Sequence, residues 1–209
     1  MPKLLSVQQA QSCDEEGCIQ YEFQTVETNH PWINEYFIDR IKTANPVAFQ
    51  APSTGEKPKV IAEKDLGEAS IVVRFIGQNQ NLATFEMMSY IYSAGAAHGM
   101  YHNEYVNFDL KTQKRISLQD LVVTGADSKV VEALFSTNSM WLEDHSIEQT
   151  KLKLSDNFYY GANGIVFVYP LYELASYAEG MSELTLPYHY TANLIKPEFL
   201  PNLPKYKNQ

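Results

Sequence analysis

No stretch of this 209-residue chain approaches the roughly 20 consecutive apolar residues that cross a bilayer as a helix. Cysteine is almost missing, with two residues at positions 13 and 18, so neither a four-thiolate zinc site nor a multi-bridge framework can be built. Their spacing is not that of a redox Cys-x-x-Cys centre. Gly17 lets so short a loop close, worth about 2 kcal/mol as a disulfide, and the residues alone leave the bonded pair and two free thiols both open. Positive charge is scarce: 16 Lys and Arg against 25 Asp and Glu give a formal charge of −9. Without a basic face to meet phosphates, nucleic acid is excluded as a partner class. The acidic balance suits a basic partner, or serves solubility alone. Residues 1–12 are too polar after Leu4 and Leu5 for a signal-peptide core, and Ala-Gln-Ser before Cys13 is a poor lipoprotein box. Export therefore requires a leader outside this sequence.

Catalytic signatures are also lacking. There is no P-loop, no dinucleotide-binding glycine pattern and no HExxH. Ser93 precedes Gly95, but Ile91 stands where a nucleophile elbow needs its first glycine. His98 and His102 have a spacing that would share one face of a helix, yet they enter a strand, where residues four apart stand about 13 Å from each other. No third ligand accompanies them, so neither a metal nor another cofactor is expected, and no enzyme is proposed by any motif.

What is present reads as a globular α+β chain, 44% hydrophobic and 20% charged. Alternation predicts strands over 19–26, 69–76, 83–92 and 100–110, with turns at 77–81 and 111–114. In the 100–110 strand Met100, Val106, Phe108 and Leu110 form the buried face, and Tyr101, Asn103, Tyr105, Asn107 and Asp109 the wet one. Pro31 opens a helix over 31–42 with Ile33, Phe37 and Ile41 on one stripe. Ser117 caps a short helix, and Asp127 caps a longer one over 127–144 with Val130, Val131, Leu134, Phe135, Trp141 and Leu142 buried. Strands over 157–160 and 165–169 pair across 161–164, the second buried on both faces, and 183–186 is a last strand. Residues 45–59 form a long loop, 170–180 a loop with one helical turn, and 201–209 a flexible tail. The expected architecture is an antiparallel meander covered by two main helices, with 1–18 as an N-terminal segment and 19–200 as a single domain.

The stretch Tyr90 to Leu121, YIYSAGAAHGMYHNEYVNFDLKTQKRISLQDL, carries a family resemblance. Its small-residue loop with a lone His-Gly, its aromatic strand ending Asn-Phe-Asp-Leu, and its Leu-x-Asp-Leu helix start are similar to the RsiV-like extracellular domain family. A second block agrees: Asn157-Phe158-Tyr159, Gly164 to Phe167, Pro170 to Gly180, and Leu186-Pro187-Tyr188. Ala94 departs from the family's second glycine, and Ala96-Ala97 makes the loop one residue longer. The family is typified by the lysozyme-sensing part of an anti-sigma factor, and a similar domain precedes PdaC-type peptidoglycan deacetylase domains, whose catalytic motifs are absent here.

The resemblance implies a periplasmic or extracellular protein, lipid-anchored or free, in which Cys13 and Cys18 are bonded. It implies a non-enzymatic binding domain for a basic, lysozyme-like muramidase, acting as sensor or inhibitor. A peptidoglycan-binding module is the alternative, since tyrosines also stack on sugar rings, and an envelope hydrolase with a dispersed site is a third reading. Eleven of the 14 tyrosines fall between Tyr90 and Tyr190, where they either roof a sheet or form a recognition surface. The candidate binding residues are Ser93, His98, Tyr101 and His102 around the small-residue loop. A second set, Tyr172, Glu173, Tyr177, Glu179 and Glu183, lies in a stretch with no Lys or Arg. A backbone-satisfying role for His98 and a merely solvated loop at 172–183 are the structural alternatives.

Overall fold

A computed structural model describes residues 3–13, 17–50 and 66–203. The chain forms two compact units, Met1–Phe75 with Glu86–Asn103, and Ile76–Phe85 with Glu104–Gln209. Six strands are hydrogen-bonded in the order β1 (Lys3–Cys13), β2 (Cys18–Glu27), β3 (Leu66–Asn79), β4 (Leu82–Tyr92), β5 (Met100–Asp109) and β6 (Lys114–Arg115). A separate three-stranded sheet orders β7 (Phe158–Tyr160), β8 (Gly164–Tyr169) and β9 (Ser182–Pro187). The meander describes β3 to β6, whose connections are too short for anything but antiparallel neighbours. It fails at β2, which pairs with β3 in parallel from Cys18↔Leu66 to Gln24↔Val72. A parallel pair needs a long crossover, and the chain between these strands supplies it.

In the first unit β1 and β2 make an antiparallel hairpin closed by the Cys13–Cys18 disulfide at its end, with a register shift between Ser6 and Gln8. Residues 3–13, read from sequence only as an N-terminal segment, are thus an edge strand. Helix α1 (Pro31–Ala44) begins at its proline and buries Ile33, Phe37 and Ile41, as their spacing requires. Each buried apolar side chain of this size contributes about 1.5–3 kcal/mol relative to exposure. Phe23 of β2 is fully buried and stacks on Phe49 of the 3-10 turn Pro46–Phe49, at 6.0 Å between centroids. That turn starts the expected 45–59 loop, the rest of which lies outside the described residues.

In the second unit a capping box at Ser117 and Asp120 starts α2 (Leu118–Leu121). The expected 127–144 helix is two, α3 (Asp127–Thr137) and α4 (Ser139–Asp144). Its N-cap is Ala126 rather than Asp127, which sits in the first turn, where a carboxylate favours the helix dipole without a cap hydrogen bond. The break falls at Asn138, whose side chain ties the end of α3 to β9: Nδ2 donates to Leu134 O at 2.7 Å and to Thr185 O at 3.0 Å, and Oδ1 accepts from Thr185 N at 3.2 Å. Strand β8 is buried along its whole length. Phe158, Ile165, Phe167, Leu184 and Leu186 share one core with Val130, Leu134 and Leu142.

Strand β5 departs from its expected faces. Met100 is 39% exposed, while Asn107 is 1% exposed. The amide of Asn107 accepts from Thr84 Oγ1 at 2.7 Å and donates to Phe158 O at 2.6 Å, so two hydrogen bonds stand where water was expected. Within the expected tail at 201–209, Asn202 is tied down, its N–H donating to Asn79 Oδ1 at 2.9 Å. Residues 204–209 of that tail lie outside the described residues. No helix is long and apolar enough to cross a membrane among the described residues.

Candidate functional site

The candidate residues fall into two groups, one in each unit. In the first unit the small-residue loop after β4 is a turn in which Ala96 N–H donates to Ser93 O at 3.0 Å. Gly95 at its third position has φ of +81°, the backbone that a type II turn demands. Ser93 and His98 are exposed, and His98 Nδ1 lies 3.0 Å from Gly99 O, the backbone-satisfying role read as its structural alternative. What comes close to this backbone is a neighbouring strand: a Cβ on Gly99 would collide with the ring of Tyr90. Tyr101 and His102 follow on β5, half-buried and, as consecutive strand residues, on opposite faces. Among the described residues no three His, Cys, Asp or Glu gather as metal ligands would.

In the second unit the loop between β8 and β9 gathers Tyr172, Glu173, Tyr177 and Glu179. The turn begins at Pro170, whose carbonyl accepts from Glu173 N–H at 3.2 Å. Tyr172 takes the third position with φ of +67°, a left-handed backbone that a bulky residue rarely holds. The result is a ring 57% exposed, lying 5.8 Å from the ring of Tyr177 at an angle of 31°. A short 3-10 turn (Tyr177–Glu179) follows, opened by a capping box in which Ser176 N–H donates to Glu179 Oε1 at 3.4 Å, an oxygen that also accepts from Ser176 Oγ at 2.9 Å.

Glu179 is anchored from α4 as well. His145 Nε2 stands 2.6 Å from Glu179 Oε2, and its Nδ1 stands 2.8 Å from Trp141 O. The imidazole stacks on the Trp141 indole at 3.9 Å. The hydrogen bond His145 donates to Glu179, then that to the Trp141 carbonyl, raises its pKa above the ordinary 6.5. The same contact, with Ser176, holds the Glu179 carboxyl below its ordinary range.

Glu183 has a different setting on β9. Its carboxylate accepts from Tyr159 Oη at 3.1 Å, and the Tyr159 ring packs 4.4 Å from that of Tyr105. Between Lys153 and Lys196 the chain carries Asp156, Glu173, Glu179 and Glu183 and no Lys or Arg. Asp156 is paired with Arg115 at 2.7 Å. Burial raises the phenol pKa values of Tyr160 and Tyr169 and pushes Tyr188 up to about 12, so these rings are neutral supports.

Trp141, His145, Tyr105 and Tyr159 were not among the sequence candidates. Trp141 read as core from its helical spacing, and nothing local joins His145 to a residue 34 positions later.

Residues 103–189 match a family model described as "Protein of unknown function (DUF3298)". The fold resembles that of a DUF3298 family protein from Pseudomonas aeruginosa, with a TM-score of 0.72 at 19% identity over 97% of each chain. It also resembles a DUF3298 family member from Bacteroides fragilis, with a TM-score of 0.59 at 17% identity over 93% of this chain and 94% of that one. No curated protein matches this chain.

Proposed function

We propose that this chain is a non-enzymatic binding domain of the cell envelope whose β8–β9 loop presents an acidic, aromatic surface to a basic protein. The observation that carries the reading is the Tyr172–Tyr177 ring pair, displayed beside exposed Glu173 and Glu179 in a segment without a cation. Tyrosine pairs bury area at small entropic cost, and exposed acids attract and orient a basic partner, Glu173 beside a Glu179 that is also held by His145. By its resemblance to the RsiV-like family, the partner is a lysozyme-like muramidase, and the chain is its sensor or inhibitor. The disulfide suits an oxidising compartment, which in this reading is periplasmic or extracellular, with a lipid anchor as one route to the surface. Residues 19–200 act together as one RsiV-like module, and Ser93 and His98, with Tyr101 and His102 on opposite faces of β5, supply subsidiary contacts.

A second reading has one observation in its favour. A tyrosine as exposed as Tyr172 can stack on a sugar ring, which makes peptidoglycan fragments the alternative ligand. Calorimetric titration separates the two. Micromolar or tighter binding of a c-type lysozyme at low salt, weakened at high salt, supports the protein partner. No heat and no binding at low salt overturns it, and salt-insensitive heat with peptidoglycan fragments selects the glycan.

A further inference from the structure

Both ring nitrogens of His145 face acceptors that have no proton to give. Nδ1 lies against the Trp141 carbonyl and Nε2 against the Glu179 carboxylate. A neutral imidazole has one N–H and can satisfy only one of them, whereas the imidazolium has two and satisfies both. The two acceptors belong to different elements, α4 and the 3-10 turn of the β8–β9 loop, so the ring is a bridge that is complete only when doubly protonated. We propose that His145 is a proton-operated clasp that fixes the Tyr172–Glu179 loop to α4 and lets it go on deprotonation. As a regulator of binding the clasp rests on the function proposed above, but as a structural device it does not.

The charged groups facing His145 among the described residues are Glu179 from the loop and Asp144 from its own helix, both of which favour the imidazolium. The pKa of His145 is raised, so its contribution is complete below the unfolded value and is lost as pH rises through the folded one. Glu179 is lowered, so its share is present above its unfolded value and is lost as pH falls through the folded one. The clasp is therefore closed from below the ordinary carboxylate value of 4.5 to above the ordinary histidine value of 6.5, and opens as pH rises through the raised pKa of His145. At side-chain exposures of 21% and 46% this pair adds little to global stability, and its effect belongs to the loop.

The test needs no partner. Trp32 and Trp141 are the two tryptophans, and an imidazolium stacked on an indole quenches its emission. In a Trp32→Phe background, emission should rise in one step with a midpoint above 6.5, and Glu179→Gln should move that midpoint down. Amide exchange at Glu179 and Gly180, corrected for its intrinsic pH dependence, should speed up several-fold across the same midpoint and show no step in His145→Gln. A midpoint at or below 6.5 that ignores Glu179→Gln, or loop amides without a step, overturns the clasp. Failure of lysozyme or glycan binding leaves these readouts intact and counts only against the function.

Discussion

Tyr172 and Asn107 carry opposite lessons about single residues. Tyr172 holds a left-handed backbone that costs on the order of 1–3 kcal/mol in a bulky residue, and its ring is turned outward. Asparagine tolerates that backbone, so Tyr172→Asn should leave the unfolding free energy unchanged or raise it by up to about 1 kcal/mol, while weakening partner binding. A clear loss of stability would mean that the ring packs for the fold rather than for a ligand. Asn107 is the reverse case, polar and buried because two partners await it. Asn107→Leu should destabilise by about 1–3 kcal/mol for each group it orphans, read by denaturant unfolding. Thr84→Val added to it should recover the hydroxyl's share, and full additivity of the two would contradict the network. Neither residue was legible from sequence. Alternation put Asn107 on the wet face because its carbonyl partner lies 51 positions away. The strain at Tyr172 arises from a turn that contains no glycine to announce it.

Elements were more legible than their partners. The stripe Ile33, Phe37, Ile41 and the unbroken run of β8 are local periodicities, and periodicity follows from backbone geometry alone. The parallel β2–β3 pair was not legible, because pairing direction depends on a crossover rather than on either strand's pattern. Nor was the end of α3, where the Asn138 side chain is shared between the Leu134 carbonyl and the edge of β9. Two glycines test which backbone approaches matter. At Gly164 a Cβ would meet the backbone of Leu186 and Pro187, which the β8–β9 ladder cannot move. Gly164→Ala should therefore cost about 3 kcal/mol. At Gly99 the obstacle is the far end of the Tyr90 ring, which is partly exposed and can swing aside, so Gly99→Ala should cost below about 1 kcal/mol. Equal costs in thermal unfolding would contradict this distinction. The candidate site was half legible in the same way: the acidic tyrosine loop stood out by composition, while its anchor on α4 did not.

At the scale of the whole molecule, the charge of −9 and the segment from 154 to 195 without Lys or Arg support the basic partner proposed above. Strands β3, β4 and β5 each contribute residues to both units, so the 19–200 module is expected to unfold in one transition rather than two. The proposed function turns on electrostatic recognition through the β8–β9 loop. Screening shortens the reach of exposed charges from about 30 Å at 0.01 M salt to about 10 Å at 0.1 M. The most direct measurement is the affinity for a c-type lysozyme across a salt series, for the native chain beside a Glu173→Gln, Glu183→Gln variant. Native binding should be micromolar or tighter and weaken at least about tenfold over that series, with a shallower slope and a lower low-salt affinity in the variant. Binding that ignores salt, an identical slope in the variant, or no binding at low salt would contradict it.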